Sequence, residues 1–340
     1  MHTLTLDHIT DQVVFIYLDI RCWSGRKTLQ PDDLGLSRAQ LPPDELVSLG
    51  DKRLLDPNAL NVFTSLRSAA RRACLEVGIR FLGGFLVPLT HSAELLAQLT
   101  QLEQRFNTAR DAFLQHFDAL VEEWITAHPR WEPLIRSALV PADHVAARLR
   151  FAAQVMQLKT PIATAGAHPG LAQAVGGLAE TLFREVSQLA ADTLENSFLG
   201  REQVTRRALR PLQTIHDKLA GLAFLDVRVR PVVRAIEQHL ALLPTQGPIQ
   251  GRDLDALRGF LAIAENPVRL QAHGAQLLAS DGTPSRQEGV SLQTPAIGPE
   301  SAVTRPQPAS QTATEHQPTR SASPAPIVAE LVDDDCGCFF

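Results

Sequence analysis

The sequence predicts a mostly α-helical protein, with a small α+β part at the N-terminus, a long-helix hairpin or bundle, and a disordered C-terminal tail. Three observations lead to this fold class. Hydrophobic residues make up 44% of the 340 residues and aromatic residues only 5%, a balance that favours helices packed through aliphatic side chains. Apolar residues recur at helical spacing through the middle of the chain. After about residue 266, Pro, Ser, Thr, Gln, Ala and Gly dominate.

Residues 1–90 are predicted to be the α+β region. Residues 13–20 (VVFIYLDI) are a nearly unbroken run of β-branched and aromatic residues, which is typical of a strand buried on both faces. A helix is predicted over residues 57–77. Residues 79–87 hold two short apolar runs that meet at Gly83-Gly84. They indicate a tight hairpin or a bulged strand, paired with the first strand.

Residues 91–265 are predicted to form a helical bundle. Over residues 92–127, apolar residues at steps of three and four form one stripe, which is coiled-coil-like in its first half. A shorter helix is predicted over residues 142–158 and a second long helix over residues 171–199. Because the two long helices have similar lengths, we expect them to pack as an antiparallel hairpin.

Residues 266–340 are predicted to be disordered, since so polar a segment cannot bury enough apolar surface to offset its ordering entropy. This tail ends in an acidic and aromatic tip formed by Asp333, Asp334, Asp335, Phe339 and Phe340. Such a tip would dock on an apolar pocket with a basic rim, where the charges steer and the rings anchor. Over about eight residues it resembles the acidic tips of bacterial single-stranded-DNA-binding proteins. The alternative is a solvated end without a partner.

The net charge, the first residues and the cysteines limit the classes of protein to which the chain can belong. A net charge of -5 excludes a polycation that coats nucleic acid. The first ten residues show no signal peptide, and no apolar run approaches the roughly 20 residues of a membrane span, so a soluble cytoplasmic protein is predicted. Cys22 and Cys74 are interpreted as reduced thiols. Cys336 and Cys338 would need further ligands for a structural metal site, so no metal is predicted.

A basic stretch is the first candidate surface in the body. Its phosphate-contact candidates are Arg201, Arg206, Arg207, Arg210, Arg230 and Arg234. Arginines on one helical face would bind nucleic-acid phosphates. The alternative is a solvated face, or pairing with acidic residues of the long helices, and the stretch lacks interleaved aromatic residues for base stacking.

A second candidate lies at the end of the first strand, where cations surround an aromatic residue. The cluster is Arg21, Trp23, Arg26 and Lys27. If exposed, it would bind an anionic ligand or a partner. The alternative is that Trp23 packs beneath its own loop.

The sequence contains no catalytic motif of a recognised kind. The zinc-protease, phosphate-loop and nucleophile-elbow patterns H-E-x-x-H, G-x-x-x-x-G-K-[ST] and G-x-S-x-G do not occur. The histidines are scattered and form no ligand-like pair. We therefore predict a protein without catalytic residues and without a cofactor.

Four separated blocks of sequence are distinctive: Asp19–Lys27, Leu49–Arg53 with Asp56-Pro57, Gly78–Gly84 and Trp124–Trp131. In this order they resemble one uncharacterised bacterial family, the domain of unknown function numbered three-one-five-zero. The resemblance runs from about residue 10 to about residue 265 and leaves out the tail. It implies an accessory protein of integrative conjugative elements, plasmids and some phages, encoded near a MoxR-type AAA ATPase and a von Willebrand A-type protein.

These observations give one leading hypothesis and one alternative. The leading hypothesis is a non-enzymatic helical scaffold or adaptor of a mobile genetic element that binds a protein partner through its tail tip. The alternative is a nucleic-acid-associated accessory protein that uses the basic stretch.

Overall fold

A four-stranded antiparallel sheet carries helices on both of its faces. This is seen in a computed structural model that describes residues 9, 11–43, 45–158 and 169–281. Most of the described residues are helical, and the sheet is built largely from the N-terminal region, so the predicted fold class is confirmed.

The strands are β1 (Val13–Arg21), β2 (Arg26–Thr28), β3 (Asp51–Arg53), β4 (Ile79–Phe81), β5 (Gly84–Pro88), β6 (Arg150–Met156), β7 (Gln203–Val204) and β8 (Ile249–Gln250). The helices of the N-terminal half are α1 (Asn61–Val77), α2 (Leu89–Gln115), α3 (Phe117–Ala127), α4 (Glu132–Arg136) and α5 (Ala142–Ala147). Those of the C-terminal half are α6 (Pro169–Gly176), α7 (Leu178–Thr193), α8 (Arg210–Gly221), α9 (Val229–Leu242), α10 (Gly251–Ala264) and α11 (Pro267–Asp281). The main sheet has the order β4-β5-β1-β6, and β2-β3 and β7-β8 are separate two-stranded pairs.

Strand β1 separates two hydrophobic cores. Val13 and Phe15 point into core B, which β1, β4 and β5 share with helices α6–α11. Ile16 points to the other side, into core A, which the sheet shares with helices α1–α5. Successive side chains of a strand alternate between its faces, so an unbroken apolar run supplies both cores. The prediction of a strand buried on both faces is confirmed for this first half of β1.

The hairpin between β4 and β5 closes through a two-residue turn. Leu82 and Gly83 both have positive φ, 45° and 78°, which is the backbone of the tight turn that matches strand twist. Phe81 pairs directly with Gly84 across it. Of the two predicted arrangements, the tight hairpin is therefore found, and β5 pairs with β1 as expected.

Helix α1 follows the sequence prediction closely. The Asp56 side chain accepts a hydrogen bond from the Asn58 backbone N–H at 3.0 Å, and a 3₁₀ turn over Pro57–Leu60 leads into the helix. Phe63 is fully buried and meets Phe106 of α2 with ring centroids 5.0 Å apart. These contacts fix α1 against α2 in core A.

The expected antiparallel hairpin of the two long helices is not formed. The buried side chains of α2 belong to core A, where the helix packs on α1 and crosses β6. Those of α7 belong to core B, where it packs on α8, α10 and α11. Similar length does not make the two helices neighbours, because the apolar stripe of each helix packs on its own side of the sheet. The first long helix is also interrupted at His116, whose ψ of 5° separates α2 from α3.

The predicted helix over residues 142–158 is wrong in its second half. Helix α5 ends at Ala147, and residues 150–156 form β6, which pairs with β1 from Arg21↔Arg150 to Phe15↔Met156. In a strand, Phe151 faces core A while β1 gains a second hydrogen-bonded neighbour. A strand from beyond residue 90 therefore belongs to the N-terminal sheet.

Residues 267–281, which composition assigned to the tail, form helix α11. Leu270 is fully buried in core B, and the helix packs on α9 and α7. Gly274 makes the approach to α9 possible, since a Cβ there would lie 2.5 Å from the Arg228 carbonyl oxygen. Residues 267–281 are therefore not part of a disordered tail, contrary to the prediction. The rest of the predicted tail, residues 282–340, lies outside the described residues.

Among the described helices, none combines the length and apolar character that a membrane crossing requires.

The close contact at Gly274 gives a stability prediction. Gly274→Ala should lower the free energy of unfolding by about 2 kcal/mol, because the added methyl group meets a backbone oxygen that cannot move alone. Gly259 in α10 is the matched control, since a Cβ there meets nothing within 4 Å. Gly259→Ala should raise stability by about 0.5 kcal/mol through helix propensity. Urea denaturation measures both, and equal effects at the two sites would contradict the packing of α11.

Candidate functional site

Helices α8 and α9 pack side by side and carry three of the six candidate arginines. Arg206 and Arg207 lie in a 3₁₀ turn before α8, and Arg210 is the first residue of α8. Arg230 and Arg234 lie one turn apart on α9. Arg201 precedes this group, and all six side chains are exposed.

The six arginines form two groups. The Arg206 guanidinium donates to the Pro244 carbonyl oxygen, which places the start of α8 beside the end of α9. Arg230 and Arg234 instead lie beside Ala220 and Gly221, at the opposite end of α8. At 1.5 Å per residue, the two ends of this helix are about 15 Å apart.

A histidine with two carboxylates lies between the two arginine groups. His216 Nδ1 is 2.8 Å from Asp217 Oδ1, and its Nε2 is 3.1 Å from Glu237 Oε1 on α9. Burial of the ring opposes protonation, but the hydrogen bonds and charges of Asp217 and Glu237 outweigh it and raise the pKa of His216. Negative charge therefore interrupts the basic face that the sequence suggested.

Arg230 and Arg234 form the rim of an apolar groove of about 400 Å³. Half-buried Phe224, buried Val233 and the small residues Ala220, Gly221 and Ala223 line it, together with Gln12 and with Glu237, whose carboxylate also contacts His216. Two guanidinium groups above an apolar surface suit a ligand that combines carboxylates with an aromatic or aliphatic side chain. We call this feature the basic groove.

The opposite charge lines a second cavity, of about 230 Å³, between α1, α2 and α8. Glu76, Glu94 and Asp217 border it, together with His91. No three His, Cys, Asp or Glu side chains are arranged to hold a metal ion in the part of the chain that the structure describes.

A buried ion pair anchors α8, whose last residues line the basic groove. Lys218 is 1% exposed, and its Nζ donates to Glu185 Oε2 on α7 and to the Leu75 carbonyl oxygen of α1, both at 2.7 Å. Glu185 also accepts from the Arg80 backbone N–H of β4 at 3.3 Å. Burial lowers the pKa of Lys218, while the charge of Glu185 favours the ammonium form. The Lys218–Glu185 pair thus connects α8, α7, α1 and β4.

Lys218 was not among the candidate residues predicted from the sequence. A signal for its burial was present, because it follows Ile215 by three residues on the same helical stripe as Leu212, Leu219 and Leu222, all of them buried.

The N-terminal cluster does not form a binding site around its aromatic residue. Trp23 is 6% exposed and packs against Phe113 and Phe117, with ring centroids 6.5 and 5.8 Å away. Trp23 is thus buried against helices α2 and α3.

The cations of that cluster stay at the surface. Arg21 pairs with Asp19 at 3.0 Å, Arg26 lies 3.9 Å from Asp51, and Lys27 is exposed on β2. The tail-tip residues Asp333, Asp334, Asp335, Phe339 and Phe340 lie outside the described residues.

The fold places helices on both faces of a small sheet, and residues of α8 and α9 line the basic groove. The family described as a protein of unknown function (DUF3150) matches residues 10–266, and the chain belongs to this family. The family predicted from the separated sequence blocks is therefore confirmed. No curated protein and no solved structure matches the chain.

The buried ion pair yields a second prediction. Glu185→Ala should destabilise the protein by about 3 kcal/mol, because it leaves the Lys218 ammonium group buried without its counter-charge. The double variant Glu185→Leu/Lys218→Met should recover to within about 1.5 kcal/mol of the wild type, since it removes both charges and keeps the volume. Urea denaturation of the three proteins tests this. A double variant as unstable as Glu185→Ala would rule the explanation out.

His216 makes part of the stability pH-dependent. Because its pKa is raised in the folded protein, its stabilising effect is complete below the unfolded value near 6.5 and fades as pH rises through the folded value. His216→Gln should therefore cost about 0.5 kcal/mol more at pH 5.5 than at pH 8. Thermal unfolding at both pH values measures the difference. The same substitution at exposed His144 is the control for the loss of a surface imidazole.

Proposed function

We propose that this protein is a non-enzymatic, cytoplasmic scaffold or adaptor of a bacterial mobile genetic element, and that it binds a protein partner through the basic groove. The observation that carries the proposal is a groove lined by Arg230 and Arg234 together with the apolar side chains of Phe224 and Val233, with Glu237 beside them. The resemblance to the family suggests the partner's setting, a MoxR-type AAA ATPase with a von Willebrand A-type protein.

The chemistry of the basic groove favours an acidic segment of protein. Guanidinium groups bind carboxylates through paired hydrogen bonds, and the apolar surface beneath them adds burial of a neighbouring side chain. Charges at the rim increase the rate of association more than they increase affinity. An acidic peptide with an aromatic or aliphatic residue meets both requirements.

The groove lies on a rigid support. The ion pair of Lys218 with Glu185 anchors α8, and Gly221 lets the end of this helix approach α2, since a Cβ there would lie 3.1 Å from Pro88 and 3.2 Å from His91. A site that keeps its shape before binding loses less conformational entropy on binding, which suits an adaptor.

The tail tip supplies a second point of contact in this proposal. Asp333, Asp334 and Asp335 with Phe339 and Phe340 offer the charge and rings that a basic, apolar pocket on a partner would accept. If so, removal of residues 327–340 should abolish co-purification with that partner, and unchanged co-purification would remove the tip from the function.

Fluorescence anisotropy with a labelled peptide tests the groove itself. The probe is a peptide with three aspartates and a C-terminal phenylalanine, titrated with the full chain. Arg230→Glu/Arg234→Glu should weaken binding at least about tenfold, because it reverses the charge of the rim. The matched control, Arg207→Glu/Arg210→Glu, makes the same change in net charge outside the groove and should alter affinity less than about twofold. No binding, or equal loss in both variants, would refute the proposal.

The same variants decide the alternative function in nucleic-acid binding. The division of the arginines by Asp217 and Glu237 argues against one continuous phosphate face. Gel shifts on single- and double-stranded DNA across a salt series would favour the alternative only if binding were strongly salt-dependent and lost in both double variants.

A further inference from the structure

Strand β6 is an edge strand in the part of the chain that the structure describes. It is the last strand in the order β4-β5-β1-β6, and within the described ranges no strand pairs with its outer side. Its register with β1 runs without interruption over seven residue pairs, from Phe15↔Met156 to Arg21↔Arg150, so no bulge bends it away. The backbone N–H and C=O groups on its outer side therefore form a regular row that can hydrogen-bond to another strand.

The features that normally protect an edge strand are missing from β6. Its sequence, RFAAQVM, contains no proline or glycine and one charged residue, Arg150. Val155 and Met156 are 45% and 42% exposed, and neighbouring Tyr17 on β1 is 41% exposed. Proteins usually place lysine, proline or a bulge on such an edge to prevent pairing with other chains. An unprotected apolar edge favours a partner strand.

We propose that this edge pairs with β6 of a second copy of the chain and forms a two-fold symmetric dimer. An antiparallel pair centred on Ala153 uses all seven residues of β6. In this register Ala153 faces its own copy, Phe151 faces Val155, and Arg150 faces Met156.

The sequence of β6 is self-complementary in this register. Odd-numbered residues of one copy lie opposite odd-numbered residues of the other. Phe151, Ala153 and Val155 of both copies therefore stay on the core A side of the sheet. Phe151 opposite Val155 is an aromatic and β-branched pair, which stabilises antiparallel sheets. The aliphatic part of Arg150 would cover Met156. The two Arg150 residues end about 20 Å apart, so the strand's one charge meets no like charge.

Assembly through this edge stops at two copies. A two-fold axis uses the same edge of both chains, and the eight-stranded sheet that results ends on each side in β4, which has only three residues. A pair of seven-residue strands buries less than the ~1,200 Å² of a standard interface, so the dimer should form reversibly and depend on concentration.

Analytical ultracentrifugation of the full chain tests the dimer across an about hundredfold range of protein concentration. The wild type should move from the 37.1 kDa monomer towards twice that mass. Val155→Lys should raise the protein concentration at which half of the chains are dimeric by at least about tenfold, because the lysine on the edge lies opposite Phe151 of the other copy. The matched control Val62→Lys places the same change at a 42% exposed valine of α1 and should leave the dimer unchanged.

A second measurement tests the register without disturbing the edge. Gln154→Cys, in a chain with Cys336→Ser and Cys338→Ser, places two thiols at diagonal positions about 8 Å apart in the dimer. A short bismaleimide should crosslink it, whereas Val62→Cys in the same background should not react between copies. A wild type that stays monomeric at every concentration, a dimer that survives Val155→Lys, or equal crosslinking at both positions would overturn the proposal.

Discussion

The alternation of side chains along β1 is the constraint on which the rest of the structure depends. Val13 and Phe15 supply core B and Ile16 supplies core A, so one strand orders two helical layers that otherwise differ in sequence and length. Each long helix then packs against its own side of the sheet, and similarity in length does not make α2 and α7 neighbours. Beyond Ile16 the core B side of β1 opens, which leaves Tyr17 exposed and places Asp19 between Arg21 and Arg150.

Charge in this protein has different roles according to its burial. The Lys218–Glu185 pair is nearly excluded from water and joins α8 to α7, with the α1 carbonyl and the β4 amide completing its hydrogen bonds. Such a pair adds little net stability compared with apolar residues, but it penalises any arrangement that separates its members. The exposed Arg230 and Arg234 lie on the helix next to it, and the buried pair helps to hold α8 in the position that forms the groove below them.

Local features were predictable from the sequence and non-local pairings were not. The strand at Val13, the cap at Asp56 and the turn beside Gly83 each depend on residues within a few positions. Strand β6 was predicted as helix, because its strand state depends on pairing with β1, which lies more than a hundred residues earlier. The arginines could be named from the sequence, but their division into two groups, and the groove beside Phe224, follow from how α8 meets α9. Nothing in the local sequence specifies that packing.

The pairing of β1 with β6 also sets the order in which the body can be completed during synthesis. Phe15 meets Met156, so the sheet cannot close until nearly half of the chain has left the ribosome. Core B waits longer, because Leu270 of α11 is one of its fully buried residues. Until then Val13 and Phe15 lack most of their helical cover. Contacts so distant in sequence slow folding and prolong the exposure of apolar strands, and cells manage that period with chaperones.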